Sequence, residues 1–205
     1  DFAQILQCGS IQANRNLEIQ DEQNLGCAPL PWAIPHPMAM VTNKKTHLFK
    51  SNVSHYEMMR DLNRQWRQWT IDEPAVFITF NGMAYDEELV RRQFYWNLFE
   101  SYLTNTNGNS RLDILLMIHN VAAFFPNILN IPLFEGGPGV SIKQADIAAA
   151  NGFEIGDAHD AIADCKLMIS LLKKMNQEKP ELIDFFLKIS SKTGVQEAVQ
   201  QQGFL

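Results

Sequence analysis

Short apolar runs and helical patterns alternate along most of this chain, and this alternation constrains the fold more than any other feature. The clearest case is the apolar run Ala75–Phe80, which is entered from Pro74 and left through Asn81-Gly82. A helical pattern with acidic residues in its first turn follows over Asp86–Phe99. Strands that are repeatedly followed by helices predict a layered α/β domain.

The remaining segments fit the same arrangement. Strands are predicted over Phe2–Ala13 and Leu17–Ile19, on either side of a polar Asn14-Arg15-Asn16 turn. The four prolines of Ala28–Pro37 predict an extended loop. Helical spacing predicts the other elements, namely a helix over Asn52–Trp69, a strand that passes into a helix over Arg111–Phe125, and helices over Ser141–Ala150, Ala158–Met175 and Pro180–Ser190.

Composition indicates one globular domain. The chain has 205 residues, of which 46% are hydrophobic and 20% charged, so it is long enough to bury a core. We predict a single domain over 1–205 with a C-terminal helical extension over 176–205. No run approaches the roughly 20 apolar residues that a membrane-spanning helix needs. Three cysteines without a Cys-x-x-Cys pair favour a reducing, cytoplasmic setting.

The charge of the chain limits how it can meet nucleic acid. A net charge of −6 argues against a protein that holds nucleic acid through a broad basic face, but not against a nuclease whose acidic site is neutralised by divalent ions. Trp66 and Trp69 are interpreted as core residues rather than base-stacking residues. The small basic clusters are interpreted as solvated helix faces, and they comprise Arg60, Arg64 and Arg67, then Arg91 and Arg92, then Lys173 and Lys174.

Two segments carry the residue types that phosphodiester hydrolysis requires. In GDAHDAIAD, His159 precedes Asp164 by five positions at the head of a helix, and about seventy residues upstream Asp86 follows FNGMAY. Two divalent ions about 4 Å apart can relieve the charge on phosphoryl oxygens, and Mg²⁺ prefers oxygen ligands such as Asp86 and Asp164. An imidazole titrates near neutrality, so His159 is a candidate general base for the attacking water.

Each acid taken alone has a simpler explanation. Asp157, Asp160 and Asp164 could be first-turn acids that complement a helix dipole, and Asp86 with its two acidic neighbours could be the same. The two segments taken together, each with its local context, favour an active site over this alternative.

Four segments resemble the exonuclease domain of bacterial exodeoxyribonuclease I, of the DEDDh 3′→5′ exonuclease family. They are Phe80–Arg91 (FNGMAYDEELVR), Phe94–Asn97 (FYWN), Asn109–Asp113 (NSRLD) and Asn151–Asp164 (NGFEIGDAHDAIAD). The resemblance implies a ribonuclease-H-like fold, a mixed sheet flanked by helices. It also implies 3′→5′ removal of mononucleotides from single-stranded DNA with two Mg²⁺ ions, for which Mn²⁺ can substitute. Single-strand DNA-binding protein is the implied protein partner.

The resemblance also assigns roles to single residues. It implies that Asp86 and Asp164 are metal-site carboxylates and that His159 is the general base. Thr42 falls in a segment similar to the Ile-Thr-Gly stretch beside the 3′ end of the substrate, with Asn43 in place of the glycine. Lys143 falls where the family tends to have a substrate-contacting arginine, and it keeps the charge but lacks the bidentate fork.

The sequence departs from the family at its start. The Asp-x-Glu motif that opens such domains, on a strand in the middle of the sheet, does not occur ahead of the segment that matches the second strand. We therefore expect a fragment cut at both ends, inactive by itself, whose ordered form has the gap filled by an upstream segment or another chain. Two alternatives stay open: a catalytically dead module that binds nucleic acid or protein, and an oligoribonuclease or proofreading-type exonuclease.

Overall fold

The chain begins with an antiparallel hairpin. A computed structural model describes residues 3–134, 136–155 and 160–201, and in it β1 (Gln7–Ala13) pairs with β2 (Ile19–Gly26). The hairpin is confirmed, but the second strand begins where its predicted range ends. Leu17 adopts a left-handed φ of 61° and belongs to the turn. After Ile19, the exposed residues Gln20, Asp21 and Glu22 of β2 are polar, which conceals the apolar pattern that a strand prediction needs.

Two helices follow the hairpin. The proline-rich segment is irregular as predicted until Pro37, which opens α1 (Pro37–Asn43), a position in which proline loses no helical hydrogen bond. Helix α2 (His55–Trp69) confirms the predicted helix and begins three residues later than Asn52. A capping box sets this start, because Ser54 Oγ accepts from the Glu57 amide at 3.2 Å and Glu57 Oε2 accepts from the Ser54 amide at 2.8 Å.

The middle of the chain forms two strand–helix units. In sequence order these are β3 (Val76–Thr79), α3 (Asp86–Trp96), β4 (Ser110–Asp113) and α4 (Ile114–Phe124). Strands β3 and β4 are parallel, with Val76 opposite Ser110 and Thr79 opposite Asp113. The predicted passage from strand to helix near Arg111 is confirmed, and α3 ends three residues before Phe99.

The C-terminal part is helical. It contains α5 (Gln144–Ala150), α6 (Ala161–Glu178), α7 (Pro180–Ile189) and α8 (Lys192–Gln201). The predicted boundary at residue 176 lies inside α6. Helix α7 contributes Ile183 and Phe186 to the core that α6 also builds, so this extension packs against the domain.

The strands form two separate pairs. Pair β1–β2 is antiparallel and pair β3–β4 is parallel, so both pairings of the predicted mixed sheet are present. Within the described residues no ladder joins the two pairs. No helix of the described part is long and apolar enough to cross a membrane.

Two apolar clusters lie beneath the helices. One surrounds α4, α6 and α7, and the other lies where α2 and α3 meet β1. Trp66 is buried in the second cluster, 5.2 Å from the ring of Phe77 and 5.9 Å from that of Phe94, which confirms its core role. The arginine clusters are ion-paired on the surface, Arg60 and Arg64 with Asp61, Arg67 with Glu100, and Arg91 and Arg92 with Glu88.

Strand β1 packs directly on the first residue of α6. A Cβ atom built on Gly9 would lie 2.6 Å from the carbonyl carbon of Ala161, closer than real Cβ atoms come to backbone. Glycine at this position therefore allows the strand and the helix to touch. At Gly137, by contrast, a Cβ atom would meet nothing within 4 Å.

This contact predicts unequal effects of two glycine substitutions. Gly9→Ala is expected to lower the free energy of unfolding by about 1–3 kcal/mol, because backbone must move to accept the methyl group. Gly137→Ala is the matched control, and it is expected to leave stability unchanged or raise it by up to about 1 kcal/mol. Urea denaturation measures both. Equal effects of the two substitutions would show that β1 and α6 are not in close contact.

Candidate active site

Asp86 is the first residue of α3 and is open to solvent. It follows the turn that leaves β3, and the residue is exposed. Desolvation of the carboxyl group, and secondarily the charge of Asp113, raise the pKa of Asp86. Within the described residues no side chain or amide donates a hydrogen bond to this carboxylate. Asp86 is therefore an accessible oxygen ligand that the protein itself leaves unsatisfied.

Asp113 has the opposite character, because it is buried and fully used. Only 3% of the residue is exposed, at the end of β4 where it caps α4. Its Oδ1 accepts from the amides of Asn81 at 2.8 Å and Leu115 at 3.0 Å, and its Oδ2 accepts from the Met83 amide at 3.3 Å. Since Asn81 and Met83 belong to the turn ahead of Asp86, this carboxylate joins β4 to that turn.

Asp164 is half-buried in the first turn of α6. The helix start is fixed by Asp160, whose side chain accepts from the Ala163 amide at 3.4 Å and from Lys45 Nζ at 3.0 Å. Lys45 holds the pKa of Asp160 below its usual range. Helix α5 is tied to the same turn, because Gln144 Nε2 donates to the Asp164 carbonyl at 2.6 Å.

A pair of thiols connects the surroundings of the two candidate ligands. Cys165 Sγ and Cys8 Sγ lie 3.6 Å and 4.0 Å from the same carbonyl oxygen, that of Gly9. Burial raises the pKa of Cys8 to about 12, with the charges of Cys165 and Asp86 adding to the rise. Burial likewise raises the pKa of Cys165 to about 11, and the charge of Asp164 adds to it. Asp86 and Asp164 therefore act on neighbouring thiols at the same stretch of β1.

The other predicted site residues are placed less completely. His159 lies outside the described residues, and so does the side chain of Thr42, whose backbone belongs to α1. Lys143 is exposed at the N-terminus of α5, directly before the glutamine that binds the Asp164 carbonyl.

The donor atoms suit Mg²⁺ in kind but are few. Carboxylate oxygens are the ligands this ion prefers, and Asp86 and Asp164 supply them. Across 3–134, 136–155 and 160–201, no three His, Cys, Asp or Glu side chains converge closely enough to hold an ion. Two further carboxylates from an Asp-x-Glu strand would complete a two-ion site.

A shielded ion pair lies beside Asp86, on the segment that contains β4. In Asn109–Asp113, Arg111 Nε lies 3.0 Å from Glu87 Oε2 in an ion pair whose side chains are only 19% and 11% exposed. Glu87 immediately follows Asp86. In the sequence, only the match of NSRLD to the exonuclease family points to this segment. Composition alone does not distinguish a buried acid at the end of a strand from an exposed one.

The chain is similar in sequence and in fold to proteins of known identity. The chain is 28% identical over 202 residues to exodeoxyribonuclease I of Buchnera aphidicola subsp. Acyrthosiphon pisum, covering 97% of this chain and 48% of that protein. Escherichia coli exonuclease I in complex with a dA16 oligonucleotide superposes with a TM-score of 0.83 at 21% identity, over 95% of this chain and 41% of that one. Exonuclease I from Methylocaldum szegediense gives 0.84 at 24% identity, over 96% and 42%. No family model matches.

These similarities confirm the resemblance drawn from the sequence. The chain has the α/β fold of the corresponding part of exonuclease I. The predicted ribonuclease-H-like fold is thereby confirmed. It spans less than half the length of each of these relatives.

The raised pKa of Asp86 predicts how stability depends on pH. The folded chain binds this proton more tightly than the unfolded chain, so ionising Asp86 costs stability as pH rises from about 3.9 through the raised folded value. In chelator-treated buffer, Asp86→Asn should therefore gain stability relative to the parent between about pH 3 and about pH 7. Urea denaturation at both pH values measures the difference.

Glu88 is the matched control because it lies on the same helical turn with the opposite shift. Hydrogen bonds from Arg91, and then from Arg92, lower the pKa of Glu88 to about 2. The ionised carboxylate of Glu88 stabilises the folded chain at pH values above the pKa that Glu88 has in the unfolded chain, and this stabilisation is lost as pH falls. Glu88→Gln should therefore lose stability relative to the parent as pH rises from about 3 to about 7. If Asp86→Asn behaves like Glu88→Gln, Asp86 only complements the helix dipole.

Proposed function

We propose that the chain is the exonuclease domain of a metal-dependent 3′→5′ exonuclease that acts on single-stranded DNA and releases mononucleotides. The observation that carries the proposal is that Cys8 Sγ and Cys165 Sγ lie within 4.0 Å of the same Gly9 carbonyl oxygen, with Asp164 directly before Cys165 and the charge of Asp86 acting on Cys8. Support comes from the fold shared with exonuclease I bound to a dA16 oligonucleotide and with an ExoI–ssDNA complex.

The reaction needs water to add to phosphorus while the bond to the 3′-oxygen breaks. Asp86 and Asp164 would hold Mg²⁺, together with the carboxylates of an Asp-x-Glu strand. The metal would relieve charge on the phosphoryl oxygens and stabilise the departing oxygen. His159 is assigned to accept the proton of the attacking water at an imidazole nitrogen.

Substrate binding is proposed to be local. Because the net charge is −6, a broad basic face is not expected to hold the strand. Lys143 would contact a phosphate near the 3′ end as a point charge, and Thr42 would lie beside the terminal nucleotide.

A protein partner and a compartment follow from the same proposal. A solved ExoI/SSB-Ct complex has this fold, with a TM-score of 0.78 at 21% identity. We therefore propose single-strand DNA-binding protein as a partner of the whole protein. Cys8, Cys27 and Cys165 are free thiols, which suits a reducing, cytoplasmic setting.

Nuclease activity tests the assignment of His159. In a version of the chain that carries an Asp-x-Glu strand ahead of residue 1, His159→Ala should slow cleavage by about 10²–10⁴-fold, since a general base is lost. Metal binding should persist, because the imidazole is assigned no ligand role. Asp164→Ala should lose both metal binding and cleavage, because a metal ligand is removed.

The assay follows 5′-labelled single-stranded DNA with Mg²⁺. A ladder that shortens from the 3′ end is expected from the parent, and a blocked 3′ terminus or a duplex should resist. Unchanged cleavage by His159→Ala would overturn the DEDDh assignment. Much faster degradation of RNA than of DNA would instead favour an oligoribonuclease.

A catalytically dead binding module is the second candidate, because across 3–134, 136–155 and 160–201 no three His, Cys, Asp or Glu side chains could together hold a metal ion. With only Asp86 and Asp164 in place, the 205-residue chain is expected to hold no more than one weakly bound Mg²⁺, because this ion sheds water reluctantly. Titration calorimetry measures this, with Asp86→Asn as the control. Two tight sites would show that residues other than these complete the cluster, whereas no cleavage from a version with the Asp-x-Glu strand would favour the binding module.

A further inference from the structure

The segment Asn109–Asp113 holds strand β3 at both ends. At the entry, Asn109 is buried and its Oδ1 accepts from the Ala75 amide at 2.8 Å. At the exit, Asp113 accepts from Asn81 and Met83 as described above. The backbone ladder between β3 and β4 connects these two contacts. Nothing in the proposed mechanism yet uses this arrangement.

The exit turn requires such a hold. Asn81 adopts a left-handed conformation with φ 57°, which costs free energy in a residue other than glycine. A Cβ on Gly82 would lie 2.4 Å from Thr79 Oγ1, so the turn is folded tightly against its own strand. The direction in which the chain enters α3, and therefore the position of Asp86, depends on this turn.

Arg111 fixes the other side of Asp86. Its ion pair with Glu87 is mostly shielded from water, and Arg111 Nε also donates to Thr104 Oγ1 at 2.7 Å. Both contacts are made by Nε, so this shielded guanidinium links Glu87 to Thr104, which restricts the first turn of α3 more than a flexible surface pair does. Glu88 makes such surface pairs one residue further on, with Arg91 and Arg92.

We infer that Asp113 and Arg111 are positioning residues that hold Asp86 in place for a divalent cation. Asp113 fixes the backbone before Asp86, and Arg111 fixes the residue after it. Neither is assigned contact with the metal or the DNA. This inference rests on the proposed role of Asp86, and it gives β4 a part in the candidate site.

The test separates positioning from general stability. Asp113→Ser keeps a hydroxyl that can cap α4 but is too short to reach the exit turn. Arg111→Met removes the ion pair and keeps a long apolar side chain. Glu88→Gln is the matched control, because it breaks ion pairs on the same turn of α3 without touching β4.

The readout is the Mn²⁺ concentration that halves the NMR signal of the Asp86 amide in the 205-residue chain without DNA. It should rise by about 10-fold in Asp113→Ser and in Arg111→Met, as is usual for partners that orient a metal ligand, and by less than about 2-fold in Glu88→Gln. Hydrogen exchange at the Asn81 and Met83 amides should speed up in Asp113→Ser alone.

Three outcomes would overturn the inference. These are equal shifts in all three variants, unchanged Mn²⁺ response in the β4 variants, and no Mn²⁺ effect at Asp86 in the parent. Because this experiment contains no DNA, its result is independent of the proposed function. If the chain responds to Mn²⁺ as expected but cuts no DNA once an Asp-x-Glu strand is supplied, the positioning roles of Asp113 and Arg111 stand and the exonuclease proposal is wrong.

Discussion

The close contact between β1 and the start of α6 is the constraint on which the candidate site depends. Gly9 has no side chain where the backbone of Ala161 passes, so strand and helix approach to a distance that a Cβ atom would prevent. This approach places the sulfurs of Cys8 and Cys165 near the same carbonyl oxygen, that of Gly9, so the first turn of α6 meets the stretch of β1 whose Cys8 is affected by the charge of Asp86. Acids that are far apart in sequence reach one stretch of β1 in this way.

The protein treats its acids in two different ways. Asp113 is buried and accepts hydrogen bonds from three backbone amides, so its carboxylate stabilises the surrounding backbone and is not available to bind a metal ion. Asp86 is open to solvent, and its pKa is raised. Among the residues that the structure describes none donates a hydrogen bond to it, and such a carboxylate is unfavourable for folding and favourable for holding a cation. This contrast within one small region is the physical basis for assigning function to Asp86 and support to Asp113.

Much of the fold could be predicted from the sequence, because its strongest elements are locally encoded. The apolar run of β3 and the helical spacing of the apolar residues in α2 are examples. The capping box of α2 is also visible in the sequence, as Ser54 followed three residues later by Glu57. The sequence pattern places β2 wrongly because the exposed residues Gln20–Glu22 are polar, and it does not reveal α1 because a proline-rich segment conceals a helix that starts with proline.

The site was predictable only in part. Asp86 and Asp164 are predicted from the chemistry that their neighbours suggest, and their roles as metal ligands stay predictions. Asp113 and Arg111 could not be recognised, because their role depends on burial and on contacts across parallel strands that residue spacing does not encode. The role of Gly9 likewise depends on a helix more than 150 residues away, at Ala161.

Anomalous diffraction from a crystal of the chain soaked in Mn²⁺ tests the central claim most directly. The account predicts a manganese peak coordinated by a carboxylate oxygen of Asp86 and one of Asp164, close to Gly9 of β1. Manganese bound only by surface acids of β2, such as Asp21 and Glu22, with none between Asp86 and Asp164, would contradict it.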